Sequence, residues 1–424
     1  MSKGNRFIFI LLLILSGEAI FLLPFVLPRI FRPTFLTAFE LNNVELGTCF
    51  SIYGLVALAA YFFGGLVADR VKPRVLMGSA LILTSFGGFV MSSFPSYDVL
   101  KLVYGYWGIT TILLFWAAMI KATRTWGGEK NQVVAFGLLD GGRGLVAAVI
   151  GLIGVALFAT SIAGVDIESS RSSLRIVLLF GSSFVAFIGL LVFIGLKSKP
   201  SQEVLKQEKL NKSNLLEVLK MPQVWMLMLV VLCSYSCYKV TDDFALYANE
   251  VMGYTDSESA SFGVLILFIR PLTGISVGLL ANRSQPVKWM LFGFLLIIGG
   301  SIVLASGVTD NSQTVAFTVT TTCTALGIYA ARVLYFSLLK EGRIPIALTG
   351  TAVGLVSLIG FTPDIYMGPL MGYFLDTFEG GNGHRFVFAI MGIFALLGIL
   401  FTFLFNLTSN RGHIESLTDS EVID

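Results

Sequence analysis

The sequence is poor in charged residues, in histidine and in cysteine. Asp, Glu, Lys and Arg together make up 13% of its 424 residues, and the chain has two histidines and four cysteines. Hydrophobic residues, by contrast, make up 55%. A soluble chain of this length could not bury so much apolar surface. The composition therefore excludes a soluble enzyme or a nucleic-acid-binding protein, and it indicates a chain that crosses a lipid bilayer many times.

The few metal-binding and redox-active side chains are not arranged for chemistry. Cys233 and Cys237 share one helix face, as small packing residues do, and no Cys/His cluster has metal-ligand spacing. The two histidines, His384 and His413, lie outside the apolar runs, so we expect no histidine to relay protons at mid-membrane. No Walker-type phosphate loop is present, which excludes direct ATP drive. We therefore expect no metal, no cofactor and no catalytic residues.

Twelve apolar runs are long enough to cross the bilayer, for which about 20 residues suffice. They lie near residues 7–31, 45–67, 75–95, 99–122, 133–160, 173–196, 224–248, 259–281, 289–306, 315–338, 346–372 and 386–407. The first run carries Glu18, Pro24 and Pro28 and is too long for a cleaved signal peptide. With the N-terminus inside, the outer side holds few basic residues, namely Arg32, Lys101, Arg171, Arg175 and Arg385. This bias predicts that both termini are cytoplasmic.

A short motif follows the second run and returns later in the chain. The stretch from Gly64 to Met77 contains a glycine pair, an Asp-Arg step and a basic run. Its residues Gly65, Ala68, Arg70 and Pro73 recur as Gly278, Ala281, Arg283 and Pro286, each 213 positions on (278 minus 65). The same offset relates Gly137 and Gly141 to Gly350 and Gly354. The chain therefore reads as one duplicated unit.

The motif resembles the signature loop between helices 2 and 3 of the major facilitator superfamily of membrane transporters. The resemblance implies an all-α membrane protein with twelve transmembrane helices in two pseudo-symmetric six-helix bundles, related by an axis along the membrane normal. We expect bundles over 1–196 and 224–407, a cytoplasmic linker over 197–223 and a cytoplasmic tail over 408–424. The stretch from Thr349 to Asp364 is also similar to YihN-type bacterial inner-membrane transporters, which implies an inner-membrane location.

The resemblance also assigns an inner gate to the signature loops. The family places the aspartate of this loop against helix 11, as a latch that holds the outward-open state, and an anion beside a helix N-terminus is favoured electrostatically. The corresponding gating residues here are Asp69, Arg70, Arg74, Asn282 and Arg283. Asn282 lacks the charge of Asp69, so we expect an asymmetric latch. Lys72-Pro73 replaces the more usual Gly-Arg, which leaves the turn geometry open.

Ionisable side chains occur inside the runs, where each costs roughly a few kcal/mol or more unless it is paired or faces water. They are Glu18, Arg29, Asp140, Arg143, Lys239, Asp242, Asp243, Arg270, Arg332 and Asp364. Runs 3, 6, 9 and 12, which the family uses as outer scaffold, carry none of them. Glu18 has no charged neighbour close by on its own helix, since Arg29 is eleven residues on, so it is the first candidate for proton coupling, with a structural hydrogen bond as the alternative.

Two arginines are candidates for binding an anionic solute. Arg29 lies where organophosphate and anion:cation symporters carry a substrate arginine, although it could instead snorkel to the interface. Arg270 matches the position of an anion-binding arginine on helix 8 of nitrate and oxalate transporters. The chain departs from both branches, because it has Ala57 where the nitrate branch has a second arginine, and its run 11 offers Asp364 rather than the oxalate branch's lysine. These departures disfavour nitrate and oxalate but not another anionic or zwitterionic solute.

The remaining interior charges are predicted to pair. Lys239 lies three residues before Asp242, which is itself the counterpart of Arg29 at the 213 offset, so we expect opposite charges to face each other across the cavity. Asp140 and Arg143 are spaced for a structural ion pair at a helix interface. Arg332 could pair with Asp364, bind the solute or belong to the inner gate. We assign Lys239 and Arg332 to substrate binding, and Asp242 and Asp364, with Glu18, to proton coupling.

The sequence thus predicts a secondary transporter that carries a small polar organic solute, most simply an organic anion, by alternating access with proton coupling. A sugar or nucleoside transporter of the same fold is the alternative within the class. A non-transporting receptor or assembly factor is the alternative outside it. The expected partners are the solute, protons and the lipid bilayer, with no nucleic acid, and we expect a monomer.

Overall fold

The computed structural model describes residues 3–127, 132–160, 167–196, 212–309, 313–335, 337–345 and 348–421. These residues form helices and short connections, with no strand among them. Twelve helical segments of the described chain are long and apolar enough to cross a membrane, and each overlaps one predicted run. The prediction of twelve spanning helices is therefore confirmed. The linker residues 197–211, which the sequence assigns to an inner loop, lie outside the described residues.

We number the spans in chain order. Span 1 comprises Lys3–Phe21, Leu22–Val26 and Leu27–Ile30; span 2 Asn43–Arg70; span 3 Pro73–Met91; span 4 Tyr97–Gly108, Ile109–Trp116 and Ala117–Gly127; span 5 Gln132–Ala159; span 6 Ile167–Gly195; span 7 Pro222–Lys239, Val240–Asp243 and Phe244–Glu250; span 8 Asp256–Arg283; span 9 Pro286–Ser306; span 10 Thr314–Leu334; span 11 Thr349–Gly360 and Pro363–Thr377; and span 12 Asn382–Glu421. Short helices Arg32–Phe39, Lys212–Leu219 and Leu338–Glu341 lie between spans. Span 12 continues through most of the predicted tail 408–424.

Local sequence explains where several spans begin. Spans 2 and 8 start with capping boxes, in which the side chains of Asn42 and Thr255 accept the N–H of the residue three positions on. Spans 3 and 9 start with Pro73 and Pro286, whose missing N–H would have no partner in the first turn of a helix. These two prolines belong to the repeated motif, so the duplicated sequence folds into duplicated helix starts.

Four spans are not regular α-helices throughout. A π-helical turn over Leu22–Val26 interrupts span 1, where Pro24 and Pro28 remove backbone donors. A second π-helical stretch, Ile109–Trp116, lies in span 4. Span 7 tightens to a 3₁₀ turn over Val240–Asp243, and span 11 stops at Gly360 and restarts at Pro363. Such breaks free backbone groups inside a membrane and occur where helices line a polar interior.

Two apolar cores hold the helices together. One is built from buried residues between Phe9 and Leu196, with Ala260, Val264 and Leu267 of span 8 added. The other is built from buried residues between Val218 and Phe405. The division into bundles over 1–196 and 224–407 remains a prediction, and the two cores are compatible with it. Below, the residues before the linker are called the N-half and those after it the C-half.

The two halves pack closely on one face of the molecule. We call this the far face, where span 1 ends and span 2 begins, and we call the face where span 1 begins and span 12 ends the terminal face. On the far face, span 2 crosses the second part of span 11 so tightly that a Cβ on Gly47 would overlap the backbone of Gly368. A Cβ on Gly372 would approach the backbone of Asn43 to 2.6 Å. Small residues at such a crossing let two backbones meet within the bilayer.

Toward the terminal face the halves make fewer close contacts. The first part of span 11, Thr349–Gly360, packs against span 7 of its own half. A Cβ added to Gly137 or Gly141 of span 5, or to Gly354 of span 11, would have no atom of a neighbouring element within 4 Å in the described chain. Gly144 and Gly151 of span 5 contact span 8 closely, nearer the far face, whereas a Cβ on Gly274 of span 8 would approach Gly141 only to 4.0 Å. The close contacts between the halves are therefore concentrated toward the far face.

Candidate functional site

Nine ionisable side chains meet in the interior between the halves. We call them the charged cluster: Glu18, Arg29, Asp140, Arg143, Lys239, Asp242, Arg270, Arg332 and Asp364. They come from spans 1, 5, 7, 8, 10 and 11, and all of them were singled out from the sequence. The sequence places them on these helices, and the packing decides which of them become partners.

Glu18 is buried between two guanidinium groups. Arg143 Nε donates to its Oε2 at 3.1 Å, and Arg270 Nη1 lies 3.5 Å from its Oε1. Arg143 belongs to span 5 of the same half, whereas Arg270 belongs to span 8 of the other half. Glu18 is therefore not the isolated carboxylate expected from span 1 alone. Its partners come from neighbouring helices that the sequence of span 1 does not reveal.

The expected ion pair between Asp140 and Arg143 does not occur among the described contacts. Asp140 instead accepts a hydrogen bond at 3.0 Å from Arg270 Nη2, across the boundary between the halves. The two residues are three positions apart and point in directions about 60° apart around span 5. Arg143 thus reaches span 1, and Asp140 reaches span 8. Arg270 becomes the centre of a network that links spans 1, 5 and 8.

Arg29 and Asp242 form an ion pair across the halves, as the 213-residue offset predicts. Arg29 also donates from Nη1 to the hydroxyl of Tyr238 at 2.7 Å, and its guanidinium lies 4.7 Å from the centre of that ring. Both partners are buried. Arg29 therefore points into the protein, and the alternative in which it snorkels to the interface is wrong.

Lys239 is fully buried and contacts two carboxylates. Its Nζ lies 3.4 Å from Asp242 and 3.4 Å from Asp364. It also lies over the rings of Phe25 and Phe50 of the N-half, at 4.7 and 5.0 Å from their centres. Asp364 receives a further hydrogen bond at 3.0 Å from the Tyr235 hydroxyl. Asp364 is thus paired with Lys239 rather than with Arg332.

Arg332 is the member of the charged cluster without an anionic partner. Its Nε and Nη1 atoms are buried, and no acceptor in the described chain lies within hydrogen-bonding distance of either. Its guanidinium lies 4.0 Å from the centre of the Tyr238 ring, which offers the attraction of a π face, and Asp140 attracts it from beyond ion-pair distance. Arg270 Nε and the Tyr329 hydroxyl are likewise buried without a partner among the described residues.

Aromatic side chains of the C-half surround this part of the cluster. The Tyr238 ring packs against Tyr235 at 5.6 Å and against Tyr329 at 6.4 Å between centres. Tyr235 in turn meets Phe361 edge to face at 4.9 Å. The three tyrosines belong to spans 7 and 10. Their hydroxyls now face charged groups, so they contribute polar as well as apolar surface.

The gating residues lie at the terminal face. Arg70 and Arg283 are exposed, and Arg74 is half-buried. The side chains of Asp69 and Asn282 lie outside the described part of the structure, so their predicted latch is not described. Beside them, Lys121 of span 4 donates from Nζ to the carbonyl of Ala68 at 2.9 Å.

The far face holds contacts between the halves that the sequence did not indicate. Asp376 of span 11 accepts the backbone N–H of Asn43 at 3.0 Å and that of Val44 at 2.7 Å, so it caps span 2 from the other half. Thr34 donates to Asp256 at 2.6 Å, next to the start of span 8. Helix starts carry unpaired N–H groups. Asp256, which lies at a predicted helix start, could therefore have been recognised from the sequence as a possible partner, whereas Asp376 is distant in sequence from the helix that it caps.

One buried histidine was also missed. His384, which the sequence placed outside the spans, lies at the start of span 12 with Asp243 and Glu250 of span 7 on either side of its ring. No group of three or more His, Cys, Asp or Glu in the described residues is arranged to hold a metal ion.

The chain is similar in sequence to known membrane proteins over most of its length. The sequence pattern described as Major Facilitator Superfamily matches residues 7–363. The inner membrane protein YqcE of Escherichia coli K12 is 28% identical over 375 residues, which cover 86% of each chain. The inner membrane protein YihN of the same strain is 25% identical over 394 residues, which cover 91% of this chain and 92% of YihN.

Solved structures show the same fold at low identity. A bacterial homologue of the human lysosomal transporter Spinster, in an inward-facing and unoccupied conformation, superposes with a TM-score of 0.78 at 17% identity, covering 97% of this chain and 99% of the other. A mutant of the nucleoside transporter NupG superposes with a TM-score of 0.70 at 10% identity, covering 95% of this chain and 99% of that one.

Proposed function

This chain belongs to the Major Facilitator Superfamily and is therefore a secondary transporter rather than an enzyme; from that premise we propose that it carries a small organic anion across the inner membrane by alternating access. The names of YqcE and YihN as inner membrane proteins support the location. The close packing of the halves at the far face supports a conformation that is closed on that side, which is one end state of such a cycle.

The charge of the interior carries the proposal for an anion. The charged cluster contains five cations and four carboxylates, and each carboxylate is engaged by at least one cation. By formal charge the cluster therefore carries one surplus positive charge, and Arg332 is its cation without a carboxylate within ion-pair distance in the described chain. An unpaired charge in a low-dielectric interior costs several kcal/mol. A solute with one carboxylate, sulfonate or phosphate group would remove that cost, and a neutral sugar would not.

The donors around Arg332 suggest how the solute is held. Nε and Nη1 of Arg332 lie on different edges of the guanidinium group, and either can donate a hydrogen bond to an oxyanion of the solute. Arg270 Nε and the Tyr329 hydroxyl offer further unused donors. Arg29 and Lys239 are paired with carboxylates, so they would bind the solute only if those ion pairs were broken.

Competition for arginine offers a route to proton coupling. Arg270 is shared by Glu18 and Asp140, and the Asp140 side chain is 32% exposed. A solute anion that takes over Arg270 would leave one of these carboxylates without its partner. An unpaired carboxylate in an apolar interior favours the protonated form. One proton would then move with one anion, and Asp242 and Asp364 would act in the same way at Arg29 and Lys239.

A ligand screen on two proteins tests the proposal. Purified protein and Arg332→Gln are heated with organic acids, neutral sugars and nucleosides, because a ligand at 100 times its Kd stabilises by about 2.7 kcal/mol. We expect at least one organic acid to raise the Tm of the parent protein and not that of Arg332→Gln. Arg175→Gln is the control, since Arg175 donates to Ser92 at the far face. A sugar or nucleoside that stabilises both proteins equally would favour the neutral-solute alternative.

A further inference from the structure

His384 bridges two carboxylates of span 7. Its Nδ1 lies 2.9 Å from Asp243 Oδ2, and its Nε2 lies 3.0 Å from Glu250 Oε2. His384 and Asp243 are buried, whereas the Glu250 side chain is 48% exposed. The bridge therefore runs from the interior of the C-half to the far-face surface. It has no part in the charged cluster.

The proton count of this bridge is fixed by its geometry. A neutral imidazole has one N–H, so only one of its nitrogens can donate while the other presents a lone pair. An ionised carboxylate has no proton to give to that lone pair. Two close carboxylate oxygens, one at each nitrogen, are both satisfied only when both ring nitrogens carry hydrogen. We propose that His384, Asp243 and Glu250 form a proton-binding site in which His384 is held as an imidazolium.

The surroundings of the ring are consistent with a positive charge. The two carboxylates come from the end of span 7, and Tyr247, also of span 7, meets the ring edge to face at 5.2 Å. Tyr247 directs its hydroxyl to Thr309 after span 9. Arg385, the neighbouring cation on span 12, turns away to Asn382 and toward Gly307. Glu250, being half-exposed, gives a proton a path to water at the far face.

The site is placed to act on the closure of the far face. Asp243 is the last residue of the 3₁₀ turn of span 7, and its neighbour Asp242 forms the ion pair with Arg29 across the halves. Protonated His384 ties this turn to span 12. Loss of the proton would leave one N–H for two carboxylates, so the bridge between span 7 and span 12 would lose one of its two hydrogen bonds. Proton release therefore loosens the far-face contact. This structural effect does not depend on the transporter function proposed above, whereas its consequence for transport rests on that function.

Histidine-selective labelling tests the proton directly. The chain has two histidines, so ¹⁵N-histidine NMR of the full protein gives two sets of ring signals, and His413→Gln assigns them. We expect both ring nitrogens of His384 to give protonated signals at pH 7. In Glu250→Gln, which removes one charge at a half-exposed position, His384 should lose its proton at a lower pH than in the parent. One bare ring nitrogen at pH 7 in the parent protein would overturn the proposal.

A distance measurement tests the link to closure. Spin labels at the exposed positions Ser93 and Glu379, in a background without the four native cysteines, report the separation of the halves at the far face. We expect the distance distribution to extend to longer values at the pH where His384 loses its proton, and His384→Gln to abolish this pH response. An unchanged response in His384→Gln, or none in the parent, would contradict the coupling. Neither readout depends on the solute, so a failed ligand screen leaves both results interpretable.

Discussion

Glu18 and its two arginines show how strongly single residues are tied together in this interior. Truncating one partner of a buried ion pair leaves the other charge uncompensated and typically costs about 3–5 kcal/mol, whereas removing both can be close to neutral. Glu18 bonds Arg143 within its own half and Arg270 in the other half. Arg270 keeps Asp140 if Glu18 is lost, but Arg143 has no second carboxylate within ion-pair distance in the described chain.

A double-mutant cycle on Glu18 and Arg143 follows from this difference. We expect Glu18→Gln to lower the Tm of the protein in detergent, and Glu18→Gln with Arg143→Gln to recover much of the loss. The physical reason is that the double variant leaves no unpaired charge at this position. Additive effects of the two substitutions on thermal unfolding would contradict the pairing, because coupled residues depart from additivity by about 0.5–3 kcal/mol.

Arg332 should behave in the opposite way when the solute is absent. Because it has no anionic partner among the described residues, its removal relieves a desolvation cost instead of creating one. We expect Arg332→Gln to leave the Tm of the solute-free protein unchanged or to raise it. Arg270→Gln, which strips Glu18 and Asp140 of a cation, should lower it. A loss of stability in Arg332→Gln as large as in Arg270→Gln would show that Arg332 has a partner.

The sequence anticipated some of these residues better than others. The offset of 213 positions matched Arg29 with Asp242, because a duplicated bundle brings equivalent positions together at the symmetry axis. It could not assign Arg270 to Glu18 and Asp140, since that choice depends on side-chain directions at the meeting of three helices. His384 was set aside because the apolar run begins just after it, whereas the helix begins at Asn382.

At the scale of elements, helix crossings and helix breaks set the shape of the interior. Span lengths follow from apolar composition, so the twelve spans and the fold class were predictable, and both are confirmed. The breaks in spans 1, 7 and 11 were not predicted. Proline accounts for those in spans 1 and 11, but the 3₁₀ turn of span 7 contains no proline, and its residues are held by ion pairs to other helices.

The crossing of spans 2 and 11 gives a test at this scale. A side chain on Gly368 would meet the Gly47 carbonyl oxygen at 2.8 Å, so the two backbones would have to move apart. We expect Gly368→Val to separate the halves at the far face, seen as longer distances between labels at Ser93 and Glu379. Gly354→Ala, in the first part of the same span and with open space around it, is the matched control and should leave the distances unchanged. Identical distributions in both variants would mean that this crossing does not hold the far face closed.

At the scale of the whole molecule, the described contacts between the halves are concentrated at the far face and in the charged cluster. Ion pairs, the capping of span 2 by Asp376 and the glycine crossing join the halves on one side. The charged cluster adjoins this contact and shares the Arg29–Asp242 ion pair with it. A rocking motion of the halves would have to break Arg29–Asp242 and Arg270–Asp140, both of which cross the boundary. A solute anion that competes for these arginines would lower the cost of that motion.

The central claim is that a surplus positive charge at Arg332 draws an organic anion through this interior together with a proton. The most direct measurement is proton flux in proteoliposomes that contain a trapped pH-sensitive dye, after an inward gradient of each organic acid is applied at equal outside pH. The account predicts that at least one acid acidifies the lumen with the parent protein, beyond the leak of protein-free liposomes, and that Arg332→Gln abolishes the effect. Uptake of a neutral sugar or nucleoside that survives in Arg332→Gln, or binding of an acid with no flux at all, would contradict it.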